Sequence, residues 1–172
     1  MDNKQLCKYF VEIRNGDYSS FDDIYCDMSI PIFTISCRIL QSKEDAEDVM
    51  QDVFIKLFDK PPNPDVINIR AWIFKVTHNL AIDRKRKIDR FDCVSESEID
   101  HLFTSASIDT AINLEKAVMQ LHVDERAIVT YHINAELKFR EISDIMTMPL
   151  GTVLWKYRKA IEKLRKILSE ED

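Results

Sequence analysis

Glycine is almost missing from this chain, with 2 in 172 residues. Hairpin-rich sheets and barrels need many turn residues, so the scarcity argues against them and favours helices. Proline numbers 5 and clusters once, in Pro61-Pro62-Asn63-Pro64. No stretch reaches the ~18 uninterrupted apolar residues of a membrane-spanning helix. The opening ten residues lack the basic-then-apolar layout of an export signal. Together these features predict a cytoplasmic chain with no direct membrane insertion. The 4 cysteines, at positions 7, 26, 37 and 93, never fall at metal-ligand spacing, which argues against zinc. Cys26 and Cys37 sit in apolar helical pattern and read as reduced core residues. No glycine-rich phosphate loop, G-x-S-x-G, H-E-x-x-H or diagnostic cysteine–histidine pair is present. The chain therefore reads as a non-enzyme that uses no cofactor and no metal.

Apolar residues make up 45% of the chain, enough for a packed core in one domain or two small ones. The net charge of −6 argues against tight, autonomous binding to duplex DNA, which is driven by phosphate neutralisation. The average hides a gradient. Between Lys138 and Lys166 there are eight Lys/Arg against three Asp/Glu. Residues 92–109 carry Asp92, Glu96, Glu98, Asp100 and Asp109 with no Lys or Arg. Charge is segregated by segment, as in a modular binder.

Leu6, Tyr9, Phe10 and Ile13 recur at helical spacing, and Gly16 ends that segment. With Asp17 or Ser20 as cap, Phe21, Ile24, Tyr25 and Met28 open a second apolar stripe that continues from Ile32 to Leu40. Pro31 is a candidate kink. Ser42 with Asp45 forms a Ser-x-x-Asp start signal. Ala46, Val49, Met50, Val53, Phe54, Leu57 and Phe58 then share one face. The opposite face shows Glu44, Glu47, Asp48, Gln51, Asp52 and Lys56, and its early acids suit the positive end of the helix dipole. Pro61 and Pro62 stop this helix, and a short polar loop reaches Asn68.

The next helix spans about 69–87. Trp72, Ile73, Val76 and Leu80 point to the core, Lys75, Asn79 and Arg86 lie along another face, and Arg84 and Lys85 are nearby. His78 has no partner at metal-ligand or triad spacing and reads as a surface or strand-facing residue. Residues 90–110 are rich in Ser and Asp, with weak periodicity, and read as a linker. Short helical segments follow at Leu114 to Leu121, Ile128 to Ile133 and Phe139 to Met146, then a turn over 147–151. The last helix has Val153, Tyr157, Ala160, Ile161, Leu164 and Leu168 on its core side. An apolar helix, a turn holding Pro149 and Gly151, and a basic helix match what a major-groove reader needs, with bases met by residues 151–159. An ordinary helical hairpin with a solvated basic face fits the same pattern.

On these blocks the chain resembles bacterial sigma factors of the extracytoplasmic-function type. Residues 21–86 resemble the family's region 2, above all in EDAEDVMQDVF from Glu44 to Phe54 and RAWIFKVTHNLAIDRKR from Arg70 to Arg86. Residues 121–165 resemble region 4, above all from Pro149 to Val153 with Ala160, Leu164 and Arg165. Residues 16–25 fit the family's opening helices. The resemblance implies an all-α fold of two small helical domains. Region 2 would occupy residues 1–90 and region 4, with its helix-turn-helix, residues 112–172, joined by an acidic flexible linker over 91–111.

The resemblance also implies roles. Asp45, Glu47, Asp48, Gln51, Asp52 and Lys56, with Phe54 alongside, would dock on core RNA polymerase. The loop from Pro61 to Asn68, with Arg70, Lys75, Asn79, Arg84, Lys85 and Arg86, would melt and hold the minus-ten strand of promoter DNA. Arg140, Thr152, Leu154, Trp155, Lys156, Arg158 and Lys159 would bind the minus-thirty-five duplex. An anti-sigma factor is a further implied partner.

The chain departs from the family after Val153, where basic or small polar residues are common and Leu154 and Trp155 stand instead. Such a pair fits contact with thymine methyl groups and equally fits cover by another protein surface. Leaving it in water is costly, so Trp155 is expected to be partly buried against the first domain or the 92–109 segment. Two other readings compete with the sigma factor: a stand-alone helix-turn-helix regulator with an N-terminal sensing domain, and a helical adaptor whose basic helix binds protein or RNA. The 70–86 block argues against both, since neither needs a strand-holding helix.

Overall fold

Eight helices and no strand make up the described residues of the computed structural model, which are 1–63, 65–91 and 108–170. The all-α expectation holds. The chain divides into two compact units, Met1–Val94 and Ser95–Asp172.

The first unit contains α1 (Asn3–Arg14), α2 (Phe21–Leu40), α3 (Lys43–Asp59) and α4 (Ile69–Phe91). α1 ends as a helix followed by glycine should: Gly16 has φ of 83°, a left-handed value that costs an ordinary side chain. α2 runs unbroken through Pro31. Its inner side buries Ile24, Met28, Ile32, Ile35 and Ile39 against α3 and α4. Cys37 is buried with them, but Cys26 is exposed. The apolar spacing holds along the whole helix through Ile24, Met28, Ile32, Ile35 and Ile39, but Cys26 falls between those positions. Earlier in the helix Cys26 shares the outer side with Asp22, Asp23 and Ile30.

α3 begins where its signal predicts, with the Ser42 hydroxyl accepting from the Asp45 N–H at 3.2 Å. α4 begins one residue after Asn68, whose side chain accepts from the Ala71 N–H at 3.0 Å. The loop between them is fastened at both ends by α1. Arg14 donates to the Pro61 and Pro62 carbonyls at 2.9 and 3.1 Å. Asn3 donates to the Ile67 carbonyl at 2.9 Å and accepts from the Ile69 N–H at 2.7 Å. Between these anchors the Val66 N–H donates to the Asn63 carbonyl at 3.0 Å.

The second unit contains α5 (Ile108–Met119), α6 (Val123–Ile133), α7 (Phe139–Met146) and α8 (Leu150–Glu170). α4 thus reaches Phe91 and α5 starts at Ile108, so residues 108–111, read as linker, are helical. The remainder of that linker lies outside the described residues. Ala117, Val118, Leu121, Val129, Ala160 and Leu164 form the core, with Tyr157 and Ile161 packed on it. α8 packs against α5, α6 and α7 alike.

The turn of the helix-turn-helix is three residues, 147–149. Thr147 carries the left-handed backbone at φ 53°, and Gly151 lies inside the first turn of α8. The reason is Pro149. Its fixed φ suits a helix start, and its carbonyl accepts from the Thr152 and Val153 N–H groups at 2.9 and 3.1 Å. Among the described residues no helix is long and apolar enough to cross a membrane.

Candidate nucleic-acid and protein interfaces

The outer face of α3 presents Glu47, Asp48, Gln51, Asp52 and Lys56 to solvent, with Asp45 half-buried. Phe54 does not join them. It is 6% exposed and meets Tyr25 and Phe21 with ring centroids at 4.8 and 6.3 Å. Its position beside Val53 and Leu57 turns it inward. The apolar group on the acidic face is Ile55, at 56% exposure. An isoleucine outside the buried stripe was the signal that sequence reading passed over.

Arg84 of α4 reaches back to this face. Its Nε donates to Asp45 Oδ1 at 2.8 Å, and its terminal nitrogen donates to Asp48 Oδ2 at 3.0 Å. The hydrogen bond to Asp45 holds the guanidinium pKa above its ordinary value; partial burial opposes this, and the charges of Asp45, Asp48 and Asp52 add to it. One residue expected on the promoter strand and two expected on polymerase are therefore engaged with each other. Arg70 is similarly occupied. It pairs with Asp27 at 3.1 Å, beside the Met1 amino group at 2.7 Å from the same carboxylate, and lies 5.7 Å over the Phe74 ring.

What α4 leaves outward is a row. Lys75, Asn79 and Arg86 are all exposed. At ~100° per residue they fall within about 40° of one another on the helix circumference. Arg90 extends the row, and Asp83 interrupts it with a 3.6 Å pair to Arg86. Lys85 pairs with Asp89 at 3.6 Å. His78 faces inward and is buried, against the surface expectation. It lies one turn after Phe74, a fully buried ring absent from the expected core face. Trp72, Val76 and Leu80 are half-buried. Ile67, in the fastened loop before α4, is 94% exposed and was also missed.

In the second unit the lysines of α8 divide. Lys156 donates to Asp124 at 2.7 Å, and Lys163 donates to Glu125 at 2.7 Å. Lys159 lies 3.9 Å from Glu125. Asp124 and Glu125 open α6, where their charge suits the helix dipole. Burial pushes the Glu125 carboxyl up, but the Lys163 hydrogen bond and the charges of Lys163 and Lys159 outweigh it and hold the pKa below the ordinary value. Arg140 and Arg158 are exposed, while Thr152 and Leu154 are half-buried.

Trp155 is 58% exposed, and the 92–107 part of the cover expected for it lies outside the described residues. The Lys159 ammonium, 4.9 Å from the ring centroid, supplies a cation–π contact that offsets part of the cost. Behind this face, His132 stacks on Phe139 at 4.2 Å and meets Tyr157 edge-on at 5.1 Å, fixing α6, α7 and α8 together.

Residues 30–91 match the family model of sigma-70 region 2. The chain is 26% identical to the ECF RNA polymerase sigma factor SigW of Bacillus subtilis over 180 residues, covering 95% of this chain and 96% of that one. It is 29% identical to the ECF RNA polymerase sigma factor RpoE of Cereibacter sphaeroides over 136 residues, covering 75% and 73%. Among solved structures, the fold is similar to the sigma factor RpoE of Bartonella quintana, crystallised with the anti-sigma factor NepR. The TM-score is 0.74 at 20% identity, over 87% of this chain and 96% of that one. It is also similar to CnrH in complex with the cytosolic domain of CnrY, with a TM-score of 0.69 at 16% identity over 99% of both chains.

Proposed function

We propose that this chain, a sigma factor of the extracytoplasmic-function type, uses α3 to join core RNA polymerase, α4 to hold the minus-ten strand and α8 to read the minus-thirty-five duplex. The observation that carries the assignment of faces is the outward row of Lys75, Asn79 and Arg86 on α4, beside a loop fastened by α1. A row of one amide and two cations suits a single strand, whose phosphates need a positive track and whose unstacked bases need polar partners. Ile67 adds an exposed apolar contact at the loop. On α3 the carboxylates not held by Arg84, Glu47 and Asp52, together with the polar Gln51 and Lys56 around Ile55, form the polymerase-docking face.

The protein is a transcription initiation factor acting in the cytoplasm, where the polymerase works. Its partners are core RNA polymerase and promoter DNA, with an anti-sigma factor as restraint; the solved relatives bound to NepR and CnrY motivate that last partner. Region 2 is the first unit and region 4 the second. The net charge of −6 fits a protein that reaches DNA only through polymerase. Fluorescence anisotropy with a forked minus-ten oligonucleotide tests the division of labour. Binding is expected with core polymerase present and not with the chain alone. Equal binding by the isolated chain would favour a stand-alone regulator.

A further inference from the structure

The outer face of α8 has an apolar group at its centre. Val153, Ala160 and Leu164 are buried and mark the inner seam. At ~100° per residue, Trp155 lies about 160° from Val153, opposite that seam. Its indole is 58% exposed, on the first turns of the helix that follows the short turn. One turn before it, a side chain added at Gly151 would meet nothing within 4 Å, so the approach to the indole is open.

The cations that would ordinarily dominate such a face are drawn away. Lys156 and Lys163 are each 2.7 Å from a carboxylate of α6, and Lys159 lies between Glu125 and the Trp155 ring. Lys159 covers one face of the indole, which leaves the other face and the ring edge to meet a ligand. Arg158, exposed beside it, remains for a phosphate.

An indole offers a broad apolar surface and a single donor, Nε1–H. In the major groove, thymine alone offers an apolar group, its C5-methyl, and beside that methyl it carries an acceptor, O4. Cytosine offers a donor amine and no methyl, and guanine offers two acceptors and no methyl. We propose that Trp155 is a specificity-determining residue that reads the C5-methyl and O4 edge of thymine in the minus-thirty-five duplex. This rests on the sigma-factor reading above and adds to it the base that the helix selects.

The test uses holoenzyme assembled from the full chain and core polymerase, on a promoter selected from a random library by that holoenzyme. Each thymine of the minus-thirty-five element is replaced in turn by deoxyuridine, which removes the methyl and nothing else. With the wild-type chain, one or two positions should lose about fourfold in affinity, the worth of one methyl-sized contact. With Trp155→Ala those positions should become insensitive to deoxyuridine, while Trp155→Phe keeps the sensitivity. Because Trp155 is exposed, all three chains should fold and capture polymerase alike. Deoxyuridine sensitivity that is unchanged in Trp155→Ala, or missing from the wild type at every thymine, overturns the proposal while the sigma reading stands. A wild-type chain that selects no promoter with core polymerase overturns both.

Discussion

Arg84 and Asp45 join α4 to α3 across 39 positions of sequence, Nε to Oδ1 at 2.8 Å, and Asp48 takes the second arm of the same guanidinium at 3.0 Å. The pairing ties Arg84, expected on the promoter strand, into the framework of the first unit. It also means that the acidic face of α3 is partly neutralised from behind, so the negative charge left to a partner is that of Glu47 and Asp52.

Arg84→Ala should therefore act on stability before it acts on DNA. The Arg84 side chain is 42% exposed, so the expected loss is about 0.5–1 kcal/mol, the scale of a well-formed surface ion pair. A double-mutant cycle with Asp45→Asn, read by urea denaturation, should show the two losses to be shared. Strict additivity would mean that the pair contributes nothing.

Ile55→Ala and Asp52→Lys should each weaken capture of core polymerase by at least tenfold while circular dichroism stays unchanged. Ile55 is 56% exposed, so its truncation opens no core cavity. Full-strength capture by both variants would remove this face from the docking role.

Asn79→Ala and Arg86→Ala should reduce promoter melting more than recruitment. Permanganate reactivity of minus-ten thymines is the measurement, with promoter binding on duplex DNA as its control. Reactivity equal to wild type in both variants would take the α4 row out of the strand-holding role.

The boundaries and apolar stripes of these helices were readable because they are local. Ser42 three residues before Asp45, the run from Ala46 to Leu57, and Pro149 before a basic helix each act within one or two turns. What sequence could not show is which charges find each other across the fold. Lys156 and Asp124 are 32 positions apart, and their pairing depends on how α6 lies against α8. The same limit hid the inward turn of His78, whereas Phe54 already falls on the apolar face of α3 and only the resemblance set it beside the docking residues. In a helix with several adjacent apolar positions, a rotation of part of a turn decides which residue is covered. Ile55 and Ile67 were missed for another reason: Ile55 falls outside the apolar stripe of α3 and Ile67 in a polar loop, and following the stripes alone passes over exposed apolar residues.

Glu125 should give the second unit an acid-sensitive step. Its folded-state pKa lies below the ordinary 4.5, so the ionised form stabilises the unit above that value. This contribution is lost as pH falls below 4.5 and through the depressed value. Urea unfolding followed by Trp155 emission, with Trp72→Phe in the background, reports on this unit. The stability gap between wild type and Glu125→Gln should be widest near neutral pH and close in acid. A gap that is constant from neutral pH into acid would contradict the assignment.

The most direct test of the whole account is run-off transcription with purified core RNA polymerase and a promoter library. The account predicts defined transcripts from a narrow class of promoters only when this chain is added, and loss of those transcripts with Asp52→Lys or Arg86→Ala. No chain-dependent transcript from any promoter, with core polymerase shown active on an established sigma factor, would contradict it.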